Sequence, residues 1–296
     1  MKRIGYAAFA LIKTTFREVG EDDLPSLSAA LAYYTVFSLP PLLVILVAVA
    51  GLIAGPEAVR EALLGQVGGL VGAQGATAIE TMIEEASDLG ASPWTKVVGF
   101  LTLLLGATGA FGALQKAINR AWAVEPEQAS GLRARLFKRV LSFGMVLTLA
   151  FFLLVSLAIS TALAMLSEGL GSALPLGIPA VIWQLVNLVV SVGVTAGLFA
   201  VLFKTLPDAE IAWRDVGIGA LATAVLFTLG KWGLGFYLGR SDPGSAFGAA
   251  GTLALILVWI YYTALIVLVG AEFTQVYANR YGSHIRPDDD ATERPG

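Results

Sequence analysis

The chain has 296 residues, of which 56% are hydrophobic and 14% charged, and its formal net charge is −3. Soluble domains carry about 25% charged residues, so this composition, with a mean hydropathy of +0.76, excludes an ordinary soluble globule and points to a polytopic membrane protein. The lack of cysteine excludes a disulfide framework, thiol catalysis and cysteine metal sites. The one histidine, His284, sits in the polar C-terminal tail without metal-ligand neighbours, so neither a metal nor a cofactor is expected.

Residues 1–20 read as a short amphipathic helix. Ile4, Ala8, Leu11, Ile12, Phe16 and Val19 recur at helical spacing, while Lys2, Lys13 and Arg17 fall on another side. Such a helix either lies on the cytoplasmic membrane surface, where its basic groups meet anionic head groups, or packs against the cytoplasmic ends of a bundle. An acidic run, Glu18, Glu21, Asp22 and Asp23, closes the segment.

The first membrane span is expected over 27–54. A helix of that length reaches about 42 Å, against a hydrocarbon core of ~30 Å. It contains Leu39-Pro40-Pro41, and proline has no N–H for the helix ladder, so a kink or break is predicted at Pro40 and Pro41. Residues 55–93 read as a helical hairpin that caps the bundle from outside. Its helical parts are Ala58 to Leu64 and Ile79 to Leu89, and Gly68, Gly69, Gly72 and Gly75 loosen its turn.

Further spans are expected over 97–118, 140–166, 178–203, 216–238 and 248–271. The second carries Gly106, Gly109 and Gly112, a smooth face for another backbone. The fourth carries Gln184 and Asn187 about one turn apart, placed for interhelical hydrogen bonds or for a ligand. The fifth carries Lys231, and Glu272 follows the sixth. The resulting fold class is all-α: one six-helix membrane domain over 1–280, then a polar tail over 281–296 expected to be disordered.

Topology follows from Lys and Arg. The N-terminal segment, the second and fourth connections and the tail hold 15 of the 19, whereas the opposite loops hold only Arg60, Lys96 and Arg240. The positive-inside bias then puts both termini in the cytoplasm and the long hairpin outside.

Enzyme signatures are missing. The sequence has no phosphate-cradling Gly-x-x-x-x-Gly-Lys loop, no His-Glu-x-x-His and no Gly-x-Ser-x-Gly, and its paired carboxylates lie in exposed segments. A non-enzymatic protein is therefore expected. The basic stretch Arg133, Arg135, Lys138 and Arg139 suits anionic lipid at a cytoplasmic surface, and no nucleic-acid partner is expected. A charge within a span costs roughly 2.5–3.5 kcal/mol on insertion scales, so Lys231 needs a reason. Either it snorkels as an anchor, or it meets an anionic ligand beside Asn187, Gln184 and the hydroxyls of Tyr33 and Tyr34. Glu272, at the expected interface, is a candidate polar switch.

Several segments carry a resemblance. Ala29-Ala30-Leu31-Ala32-Tyr33-Tyr34-Thr35-Val36-Phe37-Ser38-Leu39-Pro40-Pro41-Leu42, Ala117-Ile118-Asn119-Arg120-Ala121-Trp122, Leu206-Pro207 through Trp213-Arg214-Asp215, and Tyr261-Tyr262 through Gly270-Ala271-Glu272 resemble the YihY/BrkB family of bacterial inner-membrane proteins, once labelled ribonuclease BN. The resemblance implies six helices with cytoplasmic termini and supplies no catalytic residues. Members have been labelled as a tRNA-processing ribonuclease, which fits this chain badly, and as virulence or serum-resistance factors. Export of envelope lipids or anionic solutes has also been entertained for the family. The expected function is thus a transporter or flippase-like exporter of an anionic lipid or solute. The alternative is a membrane scaffold that recruits an envelope protein through the outer hairpin. Membrane lipids, including anionic head groups, are the expected partners, and the sequence leaves the oligomeric state open.

Overall fold

The structure is a computed structural model that describes residues 2–88, 109–126, 180–241, 249–288 and 291–293. Helices dominate: α1 (Lys2–Glu21), α2 (Leu24–Ala54), α3 (Pro56–Asp88), α4 (109–121), α5 (Ala180–Thr205), α6 (Trp213–Ser241) and α7 (Ala249–Tyr281). Four short strands accompany them: β1 (Val124–Pro126), β2 (Ala209–Glu210), β3 (Arg286–Pro287) and β4 (Ala291–Glu293). Among the described residues, three helices are long and apolar enough to cross a membrane, over Leu188–Thr205, Trp213–Phe236 and Leu253–Tyr281. The expected third span, 140–166, lies outside the described residues, as does most of the second.

The chain forms two compact units. One comprises Met1–Asp22, Ile118–Thr228 and Val269–Gly296, the other Asp23–Ala117 and Leu229–Leu268.

In the second unit, α2 starts after Asp23, held at φ 53°, with Pro25 in its first turn, where a missing N–H costs no ladder bond. It then runs unbroken to Ala54. The break expected at Pro40 and Pro41 is not there. Proline is tolerated inside a membrane helix when neighbouring elements and hydroxyl groups support the disturbed turn. Here Pro40 and Pro41 leave the Val36 and Phe37 carbonyls without a ladder N–H, and Val36, Leu39 and Leu43 on that stretch are held by apolar packing.

Helix α3 is a hairpin, as expected, folded at Gly72, whose φ of 82° suits a residue without a side chain. Gly68 and Ala76 meet across the turn, and at the open end Arg60 pairs with Glu80 at 3.2 Å and also with Glu84. Hydrogen bonding to Glu84, then the charges of both carboxylates, pushes the Arg60 guanidinium above its ordinary pKa. The limbs lie alongside α2 rather than over its end. Leu63, Leu64 and Val67 from one limb and Ile79, Met82 and Ile83 from the other close a core with Val36, Leu39, Leu43 and Val47 of α2 and with Ile256 and Ile260 of α7.

In the first unit, α6 and α7 approach closely through a reciprocal device. Thr223 fits against Gly270 and Thr274 against Gly219, and a methyl group on either glycine would overlap the facing threonine. Each threonine also returns its hydroxyl to the carbonyl four residues back, Gly219 O and Gly270 O, both at 2.7 Å. Small residues with self-satisfied hydroxyls let two helix backbones touch without stranding a polar group.

Helix α7 extends ten residues past its expected end, Ala271, because nothing after Glu272 interrupts the ladder until Gly282. The N–H groups of Gly282 and His284 then return to the Ala278 carbonyl at 3.0 and 3.2 Å. Nor is the tail disordered over the described part. β3 pairs antiparallel with β2, Glu210 opposite Arg286, and β4 pairs with β1, Val124 opposite Glu293. Such edge pairing gives the polar tail partners for its main-chain groups that hydropathy does not register.

Candidate functional site

In the first unit, three of the segments that carry the family resemblance meet around the end of α1. At the C-terminal end of α4, Ala117, Ile118 and Ala121 are buried, which fixes the helix face and turns the polar residues Asn119 and Arg120 toward neighbours. The Asn119 amide donates to Asp208 Oδ2 at 2.7 Å, and its oxygen accepts from the Asp208 backbone N–H at 2.9 Å. That pair clamps the Leu206-Pro207-Asp208 turn. Arg120 reaches Asp22, just past the end of α1, with Nε 3.6 Å from Oδ1. The buried indole of Trp122 donates to the Ala271 carbonyl at 3.0 Å.

Nearby, Asp215 in the first turn of α6 is buried and accepts two hydrogen bonds from Ser283, from its N–H at 2.7 Å and its hydroxyl at 2.8 Å. A carboxylate suits that end of a helix, where backbone N–H groups are unpaired. Gly282 is needed beside it, since an added Cβ would collide with the Asp215 carboxyl.

One residue after Ala271 stands Glu272. It is 0% exposed, and among the described residues neither carboxyl oxygen has a hydrogen-bond partner. The Gly270 and Thr274 contacts fix its direction. Both neighbours lie about 160° around the helix from position 272, so Glu272 points away from α6. It faces α1, from which the carboxyls of Glu18 and Asp22 are turned toward it. The approach of Glu18 is the closer, but the pair lacks the geometry of a formed hydrogen bond. Among the described residues, no group of three or more His, Asp or Glu has the arrangement to hold a metal ion.

Helix α1 is two-faced, although its apolar residues divide differently from the sequence expectation. Leu11, Thr15 and Val19 turn inward. Tyr6, Phe9, Ile12 and Phe16 are exposed, beside exposed Lys13 and Arg17.

The other sequence candidates are dispersed. Gln184 and Asn187 lie on α5, three residues apart, and their side chains fall outside what the structure describes. Lys231, Tyr33, Tyr34 and Pro40 belong to the second unit. Lys231 is half-buried on α6 between Gly230, which packs under Tyr262 and Ile266, and exposed Trp232. It makes no ion pair or hydrogen bond among the described residues. Tyr33 and Tyr34 are 60% and 43% exposed, and the Tyr33 ring leans on exposed Phe37 at 4.8 Å. Glu272 stands apart from the expectation of an interfacial charge, because it is sealed within the unit. Asn119, Arg120 and Trp122 stand in the sequence without evident partners. Their one visible signal was a polar pair and a tryptophan at the end of an apolar run.

A family model described as virulence factor BrkB matches residues 15–295. Curated relatives include a UPF0761 membrane protein of Ralstonia nicotianae, 30% identical over 264 residues that make up 88% of this chain and 57% of that protein. Another, from Stenotrophomonas maltophilia, is 25% identical over 87% of this chain and 58% of the relative. A third, from Alkalilimnicola ehrlichii, is 28% identical over 85% of this chain and 54% of the relative. The chain thus spans less than two thirds of the length of these proteins. No solved structure matches.

Proposed function

We propose, from the premise that this chain belongs to the virulence factor BrkB family and is an integral membrane protein, that it carries an anionic lipid or solute across the bacterial inner membrane. In this reading it does so without enzymatic chemistry, through six spans with both termini cytoplasmic.

The observation that supports the reading most is the hairpin α3 lying along α2. From Tyr34 to Gly55, α2 rises about 31 Å, which matches a hydrocarbon core of ~30 Å. The exposed rings of Tyr33 and Tyr34 suit the aromatic belt at one interface. The charged residues of α3, from Glu57 to Glu61 and from Glu80 to Asp88, flank the other. Between them, residues 62–79 contain no Asp, Glu, Lys or Arg. Each limb is long enough to descend about 23 Å, and in this reading the packing of Leu64, Val67 and Ile79 against Leu43 puts the Gly72 tip deep in the bilayer. Non-helical backbone at that depth is tolerated where it is buried in protein or lines a watery cavity, and helices interrupted at depth recur in transporters.

Lys231 supplies the second part of the reading. Lys231 has no carboxylate partner among the described residues, and an intramembrane ammonium of that kind is a natural counter-charge for a phosphate or carboxylate group in transit.

The test is movement of a fluorescent phosphatidylglycerol and of a small organic anion in reconstituted vesicles, comparing the parent chain with Lys231→Met. Loss of movement in a normally folded variant supports the assignment. Unchanged movement removes Lys231 from it. Absence of movement in the parent, combined with loss of cellular function on deleting residues 58–90, selects the scaffold reading instead.

A further inference from the structure

We infer that Glu272, with Glu18 and Asp22, forms a proton-binding site whose occupancy holds the C-terminal end of α1 against α7. The inference does not depend on the transport reading. It rests on a full burial, two orphaned oxygens and the identity of the groups opposite them.

An ionised carboxylate shut away from water is stable only when a cation or several hydrogen bonds compensate it. Among the described residues Glu272 has neither: it is 0% exposed, and both oxygens lack a partner. The groups that face it make matters worse, since Glu18 and Asp22 are also carboxyls. Among the described residues, the cations at these carboxyls are Arg120 of α4, engaged with Asp22, and Arg17 of α1, 3.3 Å from Glu18, and neither pairs with Glu272. The other neighbouring element, α6, presents Gly219 and Thr223 to the opposite side of α7 and brings no charge. Three carboxyls thus meet two cations, one positive charge short. A proton is the cation that fits, because the carboxyls do not have a metal-holding arrangement.

A route for the proton is built in. The side chains of Glu18 and Asp22 are 24% and 22% exposed, so each bridges the sealed Glu272 carboxyl to solvent. Loss of the proton from the Glu272 carboxyl, through Glu18 to bulk water, leaves a carboxylate facing two more. Like charges then drive the end of α1 off α7. The sign is therefore fixed. Acid keeps α1 docked, and alkali releases it.

The chain has no cysteine, so a single introduced one reports cleanly. Gly20, on α1, has open space around the position a Cβ would take. Full-length Gly20→Cys carrying an environment-sensitive bimane, in lipid nanodiscs, is titrated from mildly acidic to mildly alkaline pH. The expected result is a reversible one-proton emission change that Glu272→Gln abolishes and Glu18→Gln shifts to another midpoint. An unchanged titration in Glu272→Gln, or no titration in the parent, overturns the inference. A second measurement does not need the variant to fold. A hydrophobic carbodiimide, which reacts with protonated buried carboxyls, should modify Glu272 in the parent chain, and less so as pH rises. Modification confined to other residues overturns the inference equally.

Discussion

The indole N–H of Trp122 donates to the carbonyl of Ala271 at 3.0 Å, and so ties the end of α4 to the turn of α7 that presents Glu272. Both partners are buried. Trp122→Phe keeps most of the packing but removes the donor. A neutral hydrogen bond between buried groups is worth about 1 kcal/mol, and a stranded partner raises the loss to about 1–3 kcal/mol. Thermal unfolding in detergent should register a loss of that size.

The α6–α7 contact makes a sharper prediction, because its failure can be repaired. Gly219→Ala pushes a methyl group into Thr274. Overpacking of this kind costs about 1–3 kcal/mol. Thr274→Ala in the same chain should recover much of the loss, since it removes the obstructing hydroxyl and methyl groups. The double-mutant cycle measures this directly. A purely additive cycle would show that the two positions do not meet.

Asp215 latches the far end of α7. Asp215→Ala strands the Ser283 N–H and hydroxyl, and hydrogen bonds to a charged acceptor are worth about 1.5–3 kcal/mol each. Asp215→Asn retains an acceptor oxygen and should lose less. Because only two residues separate Ser283 from β3, the Ala variant should also expose the tail. Limited proteolysis around 284–293 is the readout, with faster cleavage expected than in the parent.

At the open end of α3, Arg60 holds Glu80 and Glu84 together. Its pKa is raised in the folded chain above the ordinary guanidinium value. A raised cationic pKa contributes stability that is fully present below the unfolded value and is lost only as pH rises through the folded one. Mildly alkaline pH should therefore leave the clasp intact. Salt should weaken it, because the carboxylates are solvent-facing. Hydrogen exchange of the 56–61 and 80–88 segments in Arg60→Leu should rise at low salt and converge on the parent at high salt.

How much of this was legible in the sequence differs from element to element. The apolar runs behind α2, α5, α6 and α7 were plain, because burial in lipid demands long uncharged helices. The hairpin fold was readable from its glycines and helical periodicity. Its position along α2 was not, because which apolar face meets which is set by packing. The Pro40-Pro41 break was a fair local inference that α3 packing overrode. Glu272 was expected at the cytoplasmic end of a span because a charge is the usual marker of a helix end, and only its neighbours reveal that it is sealed. Arg286–Pro287 and Ala291–Glu293 are too short for any alternating pattern to announce a strand. The contacts of Asn119, Arg120 and Trp122 span up to 149 residues of sequence, and no local signal encodes such pairings.

The transport reading depends most on the depth of the Gly72 tip. Gln66 is exposed and lies on the charge-free part of the first limb, about 15 Å along the helix from Pro56. A fluorophore on Gln66→Cys, with Glu57→Cys as the open-end comparison, can be quenched in vesicles by aqueous iodide or by nitroxides fixed at mid-chain on the lipid. A re-entrant hairpin predicts that the Gln66 probe is quenched by the mid-chain nitroxide and shielded from iodide, with the reverse at Glu57. Strong iodide quenching at both positions would put α3 in water outside the bilayer and contradict the reading.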